Sequence, residues 1–278
     1  SVSTGQVFYK GTELTKLTTN SQWEKIRGAE ISTIFQDPMT SLNPIKTIGS
    51  QISETIIKHQ GKTKEEAKVI AIDLMDRVGI PEAAKRYDEY PFQYSGGMRQ
   101  RIVIAIALSS RPKVLICDEP TTALDVTIQA QIIALLKELK AEYGFAMIFI
   151  THDLGVVASI ADKVAVMYSG EIIEYGTVED IFYDSRHPYT WALLSSLPQL
   201  ATTEKLYSIA GTPPSLYSEI KGDAFAPRNP SPMAVDFVEI PPKFPISDTH
   251  WAKTWLLDNR APKLSKPEGI QDLHAKML

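Results

Sequence analysis

The chain has 278 residues, of which 44% are hydrophobic and 22% charged; this suffices for one large α/β domain with an appendage, or for two modest domains, and argues against wholesale disorder. A net charge of −4 without a lysine or arginine block disfavours a nucleic-acid partner, and the single Cys117 excludes an internal disulfide and a four-cysteine zinc or iron–sulfur site. No apolar run reaches the roughly 18 residues of a membrane span, and Ser1 to Lys10 lack a secretory-signal pattern, so any membrane role is expected to come through partners.

In chain order, Val7 to Tyr9 and Ile31 to Phe35 are predicted strands, with a helix expected over Trp23 to Gly28. The second strand delivers Gln36. Pro38 to Pro44 has turn chemistry, and helical patterns follow over Ile48 to His59 and Lys64 to Val78, together reading as a mostly helical insertion. After Tyr94 strands alternate with helices, the pattern of a parallel sheet covered on both faces. Val114 to Cys117 is a predicted buried strand, Ile128 to Tyr143 a helix stopped by Gly144, and Ala146 to Ile150 the next strand. Val164 to Tyr168 and Glu171 to Tyr175 flank a Ser169-Gly170 hairpin turn, and Thr177 to Asp180 spell a capping box. Beyond about Ser208 prolines crowd in and periodicity fades, which predicts a loop-rich appendage.

Several short segments carry chemistry. In Ser95-Gly96-Gly97-Met98-Arg99-Gln100-Arg101, two glycines expose backbone N–H groups at a helix start, where phosphate oxygens are attracted; the same residues also suit a plain serine cap with a glycine pair. The apolar run Val114 to Cys117 ends in Asp118-Glu119-Pro120, putting two carboxylates at the carboxyl edge of a parallel sheet, where ligands bind in open α/β folds. Asp118 is suited to hold Mg²⁺ mainly through water, and Glu119 to polarise an attacking water. His152 closes the next strand, placed to donate to a γ-phosphate. The amide of Gln36 suits both a catalytic water and Mg²⁺, although Gln36 and Asp125 are each unremarkable alone.

Taken in order, these pieces resemble the ABC transporter nucleotide-binding domain from about Gly5 to Pro198: Gln36 as the Q-loop, SGGMRQR as the signature, LICDE as Walker B, ALD as the D-loop and His152 as the switch histidine. A narrower resemblance, to the ATPase subunits of oligopeptide and dipeptide permeases, rests on FQDPMTSLNP, THDLGVVASIAD and RHPYTWALLSSLP. The resemblance implies an α/β fold: a RecA-like P-loop NTPase core with a parallel sheet, an inserted α-helical signature subdomain and a loop-rich C-terminal appendage. Its expected boundaries are 1–36 for the first part of the core, 37–110 for the helical subdomain, 111–207 for the catalytic core and 208–278 for the extension. It further implies that Glu119, His152 and Gln36 are catalytic, that Ser95, Gly96, Gly97, Gln100 and Asp125 contact ATP, and that Asp118 and Gln36 serve Mg²⁺.

Two departures qualify it. No G-x-x-x-x-G-K-[ST] loop occurs in these residues, so the resemblance predicts a phosphate loop ahead of Ser1, and weak nucleotide binding by the 278 residues alone. In the tail, Asp223, Asn229, Asp236 and Thr254 stand where many peptide-permease ATPases carry iron–sulfur cysteines, so no cluster is expected. The implied assembly pairs this chain head to tail with a second, homologous ATPase subunit, two transmembrane permease subunits and an extracytoplasmic peptide-binding protein, at the cytoplasmic face of the membrane and without nucleic acid. The rival expectations are a soluble ABC ATPase acting on nucleic acid or ribosomes, and a chain that cannot hold nucleotide in its own site yet lends Ser95 to Gly97 to a partner.

Overall fold

The computed structural model describes residues 4–122, 124–197, 209–215, 220–267 and 270–271. The chain divides into two compact units, residues 1–152 and 153–278. The expected boundary at 207/208 falls outside the described residues, as do Ala123 of the ALD motif and Pro198.

The first unit opens with a two-residue hairpin, β1 (Phe8–Tyr9) and β2 (Thr12–Glu13), turned by Lys10 and Gly11 at φ 46° and 79°. Helix α1 (Asn20–Glu24) begins earlier than the Trp23 to Gly28 pattern suggests, because Thr19 and Gln22 cap each other reciprocally. Strand β3 (Ile31–Ile34) precedes the helical insertion: α2 (Pro38–Ser41), α3 (Ile48–Gln60), α4 (Lys64–Arg77), α5 (Ala83–Arg86) and α6 (Gly96–Leu108). The PMTSLNP segment, expected as turn, therefore contains a single helical turn. On α3, Ile48, Ile52 and Ile56 form a buried stripe at helical spacing, facing a helix whose Ala67 and Ala71 allow close approach. Gly49 lies against the Tyr87 ring, so closely that an added Cβ would sit 2.2 Å from it.

Strand β4 (Val114–Asp118), helix α7 (Val126–Tyr143) and strand β5 (Ala146–Ile150) complete this unit. Asp125 starts α7 two residues before the predicted Ile128, by accepting the Ile128 N–H; Gly144 at φ 67° ends it as expected. The sheet is parallel, in the order β3-β4-β5, with Ile34, Cys117 and Phe149 in register. Leu115 and Cys117 are fully buried while Val114, Ile116 and Asp118 are half-buried, so the alternation of β4 turns Asp118 toward the more open face.

In the second unit, α8 (Leu154–Ile160), capped by Asp153, leads to strands β6 (Lys163–Tyr168) and β7 (Glu171–Thr177). Ser169 and Gly170, at φ 50° and 85°, make the predicted hairpin turn. The Thr177–Asp180 capping box starts α9 (Val178–Tyr183), and His187 caps α10 (Pro188–Ser195) through its ring. Tyr189 and Leu193 pack half-buried against a core that contains Leu194, Val166, Tyr168 and Phe225. The loop-rich tail also joins the sheet: β8 (Phe244–Pro245) and β9 (Trp251–Ala252) extend the hairpin into a sheet ordered β6-β7-β9-β8. Two-residue strands carry too little alternation to be seen in sequence.

At the centre of this sheet Glu174 is fully buried, and its carboxylate accepts the Arg186 N–H at 2.5 Å, the His187 N–H at 3.2 Å and the His250 Nε2–H at 3.0 Å. Asp223, Asn229, Asp236 and Thr254 are buried too, and each commits an oxygen to its own turn: Asp223 to the Phe225 N–H, Asn229 to Ser231, Asp236 to Met233 and Thr254 to Leu256.

His187 accepts the Tyr189 N–H at Nδ1, so its proton sits on Nε2, 4.0 Å from Asp223 Oδ2. Burial pushes His187 down to about 3 and Asp223 up to about 6, with Asp236 raised for the same reason. As pH falls from 7 to 4, the unfolded chain protonates this histidine while the folded unit protonates Asp223. The first uptake removes stability and the second adds it. Asp223→Asn deletes the compensating uptake, so its urea midpoint is expected to fall more between pH 7 and pH 4.5 than that of the parent; equal falls would show that Asp223 does not titrate in this window.

Candidate active site

Three adjacent parallel strands end at the same edge, and a residue one or two positions beyond each strand end reaches inward. Gln36 lies two positions beyond Ile34, Glu119 two beyond Cys117 and His152 three beyond Phe149, and these three strand residues are in register. Sheet register alone therefore collects an amide, a carboxylate and an imidazole where open parallel sheets bind ligands. Gln36 Nε2 donates to Glu119 Oε2 at 3.0 Å, and His152 Nδ1 lies 3.2 Å from Glu119 Oε1. A carboxylate only accepts, so Nδ1 carries the proton of this bond.

Glu119 is held from behind as well. Its N–H donates to the Ile150 carbonyl at 3.0 Å, and its φ of 44° lies in the left-handed region, uncommon for a residue with a Cβ. The Thr122 N–H closes a turn on the Glu119 carbonyl at 3.3 Å, and the Thr122 hydroxyl donates to Glu119 Oε2 at 2.9 Å. The His152 bond, then that of Thr122, holds the Glu119 carboxyl below its ordinary value. The carboxylate is thus ionised and open, with 26% of its side chain exposed beside a 73% exposed His152. Thr122 was not singled out in the sequence, although a Glu-Pro-Thr-Thr turn is a local signal for a hydroxyl folded back on the acid.

The other site residues lie elsewhere on the unit's elements. Ser95 is exposed and accepts the Met98 N–H as the cap of α6. Gly96 and Gly97 are glycine for different reasons: a Cβ on Gly97 would meet Ile128 Cγ2 at 2.9 Å, whereas one on Gly96 would meet open space. Asp125 is exposed as the cap of α7. Gln100 is fully buried, one turn into α6, and both amide atoms lack a hydrogen-bond partner among the described residues. The helical period turns it inward while the exposed turn faces solvent.

Asp118 and the Gln36 amide oxygen are hard donors suited to Mg²⁺, although the described residues contain no cluster of three or more His, Cys, Asp or Glu side chains able to hold a metal.

Residues 1–122 match the ABC transporter family, and residues 173–234 match the oligopeptide/dipeptide transporter C-terminal region. The oligopeptide transport ATP-binding protein AmiE of Streptococcus pneumoniae is 69% identical over 277 residues, covering 99% of this chain and 78% of its own length. The chain belongs to the ABC transporter ATP-binding family. Within it, the oligopeptide transport ATP-binding protein OppD of Bacillus subtilis is 54% identical over 269 residues, covering 96% of this chain and 75% of its own. A solved dimeric ATP-binding cassette in a post-hydrolysis state with ADP and Pi superposes with a TM-score of 0.56 at 28% identity, over 63% of this chain and 74% of that one. The chain thus has the fold of an ATP-binding cassette, with a parallel-sheet α/β core. Among the described residues no helix is long and apolar enough to cross a membrane.

Proposed function

We infer that this chain is the ATP-hydrolysing subunit that powers ABC-type import of oligopeptides. The observation that carries the reading is the convergence of Gln36 and His152 on the Glu119 carboxylate, in a chain 69% identical to an oligopeptide transport ATP-binding protein. Glu119 is the group that accepts a proton from the attacking water and aligns it on the γ-phosphorus. Gln36, which now donates to that carboxylate, orients the same water. The Nδ1–H of His152 is the donor available to a γ-phosphate oxygen once substrate replaces Glu119 as its partner. Asp118 and Gln36 would hold Mg²⁺, whose charge neutralises the phosphates.

Ser95 and Gly96 present an exposed helix start, with open space where a Cβ on Gly96 would sit. This feature supports an ATP site completed between this chain and a second, homologous ATPase subunit. Two transmembrane permease subunits and an extracytoplasmic peptide-binding protein complete the proposed transporter, with this chain peripheral on its cytoplasmic face. The test is affinity purification of the tagged full-length protein from its own cells. Co-isolation of membrane permease subunits, with ATP hydrolysis stimulated by peptide and its binding protein, is the expected result. Recovery with RNA or ribosomes and no membrane subunit would overturn the reading.

A further inference from the structure

We propose that Thr122 is a positioning residue for ATP hydrolysis, its hydroxyl fixing Glu119 Oε2 so that Oε1 is the oxygen presented to the attacking water. The proposal rests on the reading of Glu119 as the proton acceptor. It starts from an asymmetry in the site. Among the described residues, Gln36 at 3.0 Å and Thr122 at 2.9 Å both bond Oε2, while His152 meets Oε1 at 3.2 Å.

These bonds differ in what substrate does to them. Gln36 and His152 come from the ends of other strands, and their polar atoms are the ones that must turn to water and phosphate. Thr122 belongs to the same loop as Glu119, and the backbone bond from its N–H to the Glu119 carbonyl, at 3.3 Å, closes the turn that carries its hydroxyl back. Pro120 at the second position of that turn pre-sets its backbone. Glu119 itself is pinned in the left-handed region at φ 44°, with its N–H on the Ile150 carbonyl. The Thr122 bond therefore survives when Gln36 and His152 leave. It then becomes the remaining side-chain contact that selects one carboxylate rotamer from several, which is how a residue outside direct contact with substrate sustains turnover.

Thr122 is exposed, so its hydroxyl is not explained by a need of the core.

The experiment measures steady-state ATP hydrolysis by the full-length protein in its assembled transporter, for Thr122→Val, Thr122→Ser and the control Glu119→Gln. Thr122→Val, nearly isosteric, is expected to lower kcat about tenfold or more and to leave KM for ATP unchanged; Thr122→Ser restores kcat. A parental kcat in Thr122→Val, beside an inactive Glu119→Gln, would overturn the role of Thr122 alone. A Thr122→Ser variant as slow as Thr122→Val would overturn the role of the hydroxyl. Turnover at the parental rate by Glu119→Gln would instead remove the reading of Glu119 on which the proposal stands.

Discussion

Glu119→Gln in the intact transporter leaves ATP binding in place and lowers steady-state hydrolysis by roughly 10²-fold to 10⁴-fold, the usual worth of a positioned general base. The amide keeps the size of the carboxylate and can still accept from Thr122, so the loop retains its shape. What disappears is the basic oxygen. The parent side chain is ionised and held below its ordinary value by His152 and Thr122, so the base form persists into mildly acidic solution and loss of activity there has to arise elsewhere. Phosphate release from purified transporter, with trapped nucleotide counted in parallel, checks both halves of the expectation. Ordinary turnover in the variant would show that another group takes the proton.

Glu174→Ala is expected to destabilise the second unit by about 3–5 kcal/mol, because three buried donors lose their acceptor and each orphaned group costs roughly 1–3 kcal/mol. The three come from different stretches: the backbone of Arg186 and His187 ahead of α10, and the His250 ring beside β9. A single carboxylate on β7 therefore joins the RHPY segment to the tail hairpin. Against a typical stability of about 5–15 kcal/mol this loss is large. Glu174→Gln is milder, since it keeps one acceptor but turns an amide N–H₂ toward a donor. Urea unfolding followed by tryptophan fluorescence reads the difference; Trp251, Trp255 and Trp191 all belong to this unit. Equal midpoints for the parent and the alanine variant would mean that the tail is held by its other contacts.

Where a structural cause is local, the sequence showed it. The helix ending at Gly144, the strand Ala146–Ile150, the Ser169-Gly170 turn and the Thr177 capping box all depend on residues within a few positions of one another, and all are found in the structure. The order of Gln36, Asp118, Glu119 and His152 was also legible, because strand ends carry their functional residues in chain order. Helix starts moved where a cap outweighed apolar spacing, as Asp125 does for α7 and Thr19 for α1. Gln100 lies buried because the motif runs straight through a helix whose period sends every third or fourth residue inward.

The residue types therefore determined, without coordinates, that carboxylate, amide and imidazole follow parallel strands and that a glycine pair opens a helix. Only the tertiary structure decided that the amide and the imidazole meet on that one carboxylate, that Thr122 folds back to hold it, and that the tail joins the sheet through Glu174. Periodicity and capping act over one or two turns of chain, whereas strand register and buried charge pairing are fixed by segments tens of residues apart, and nothing in either segment alone specifies its partner.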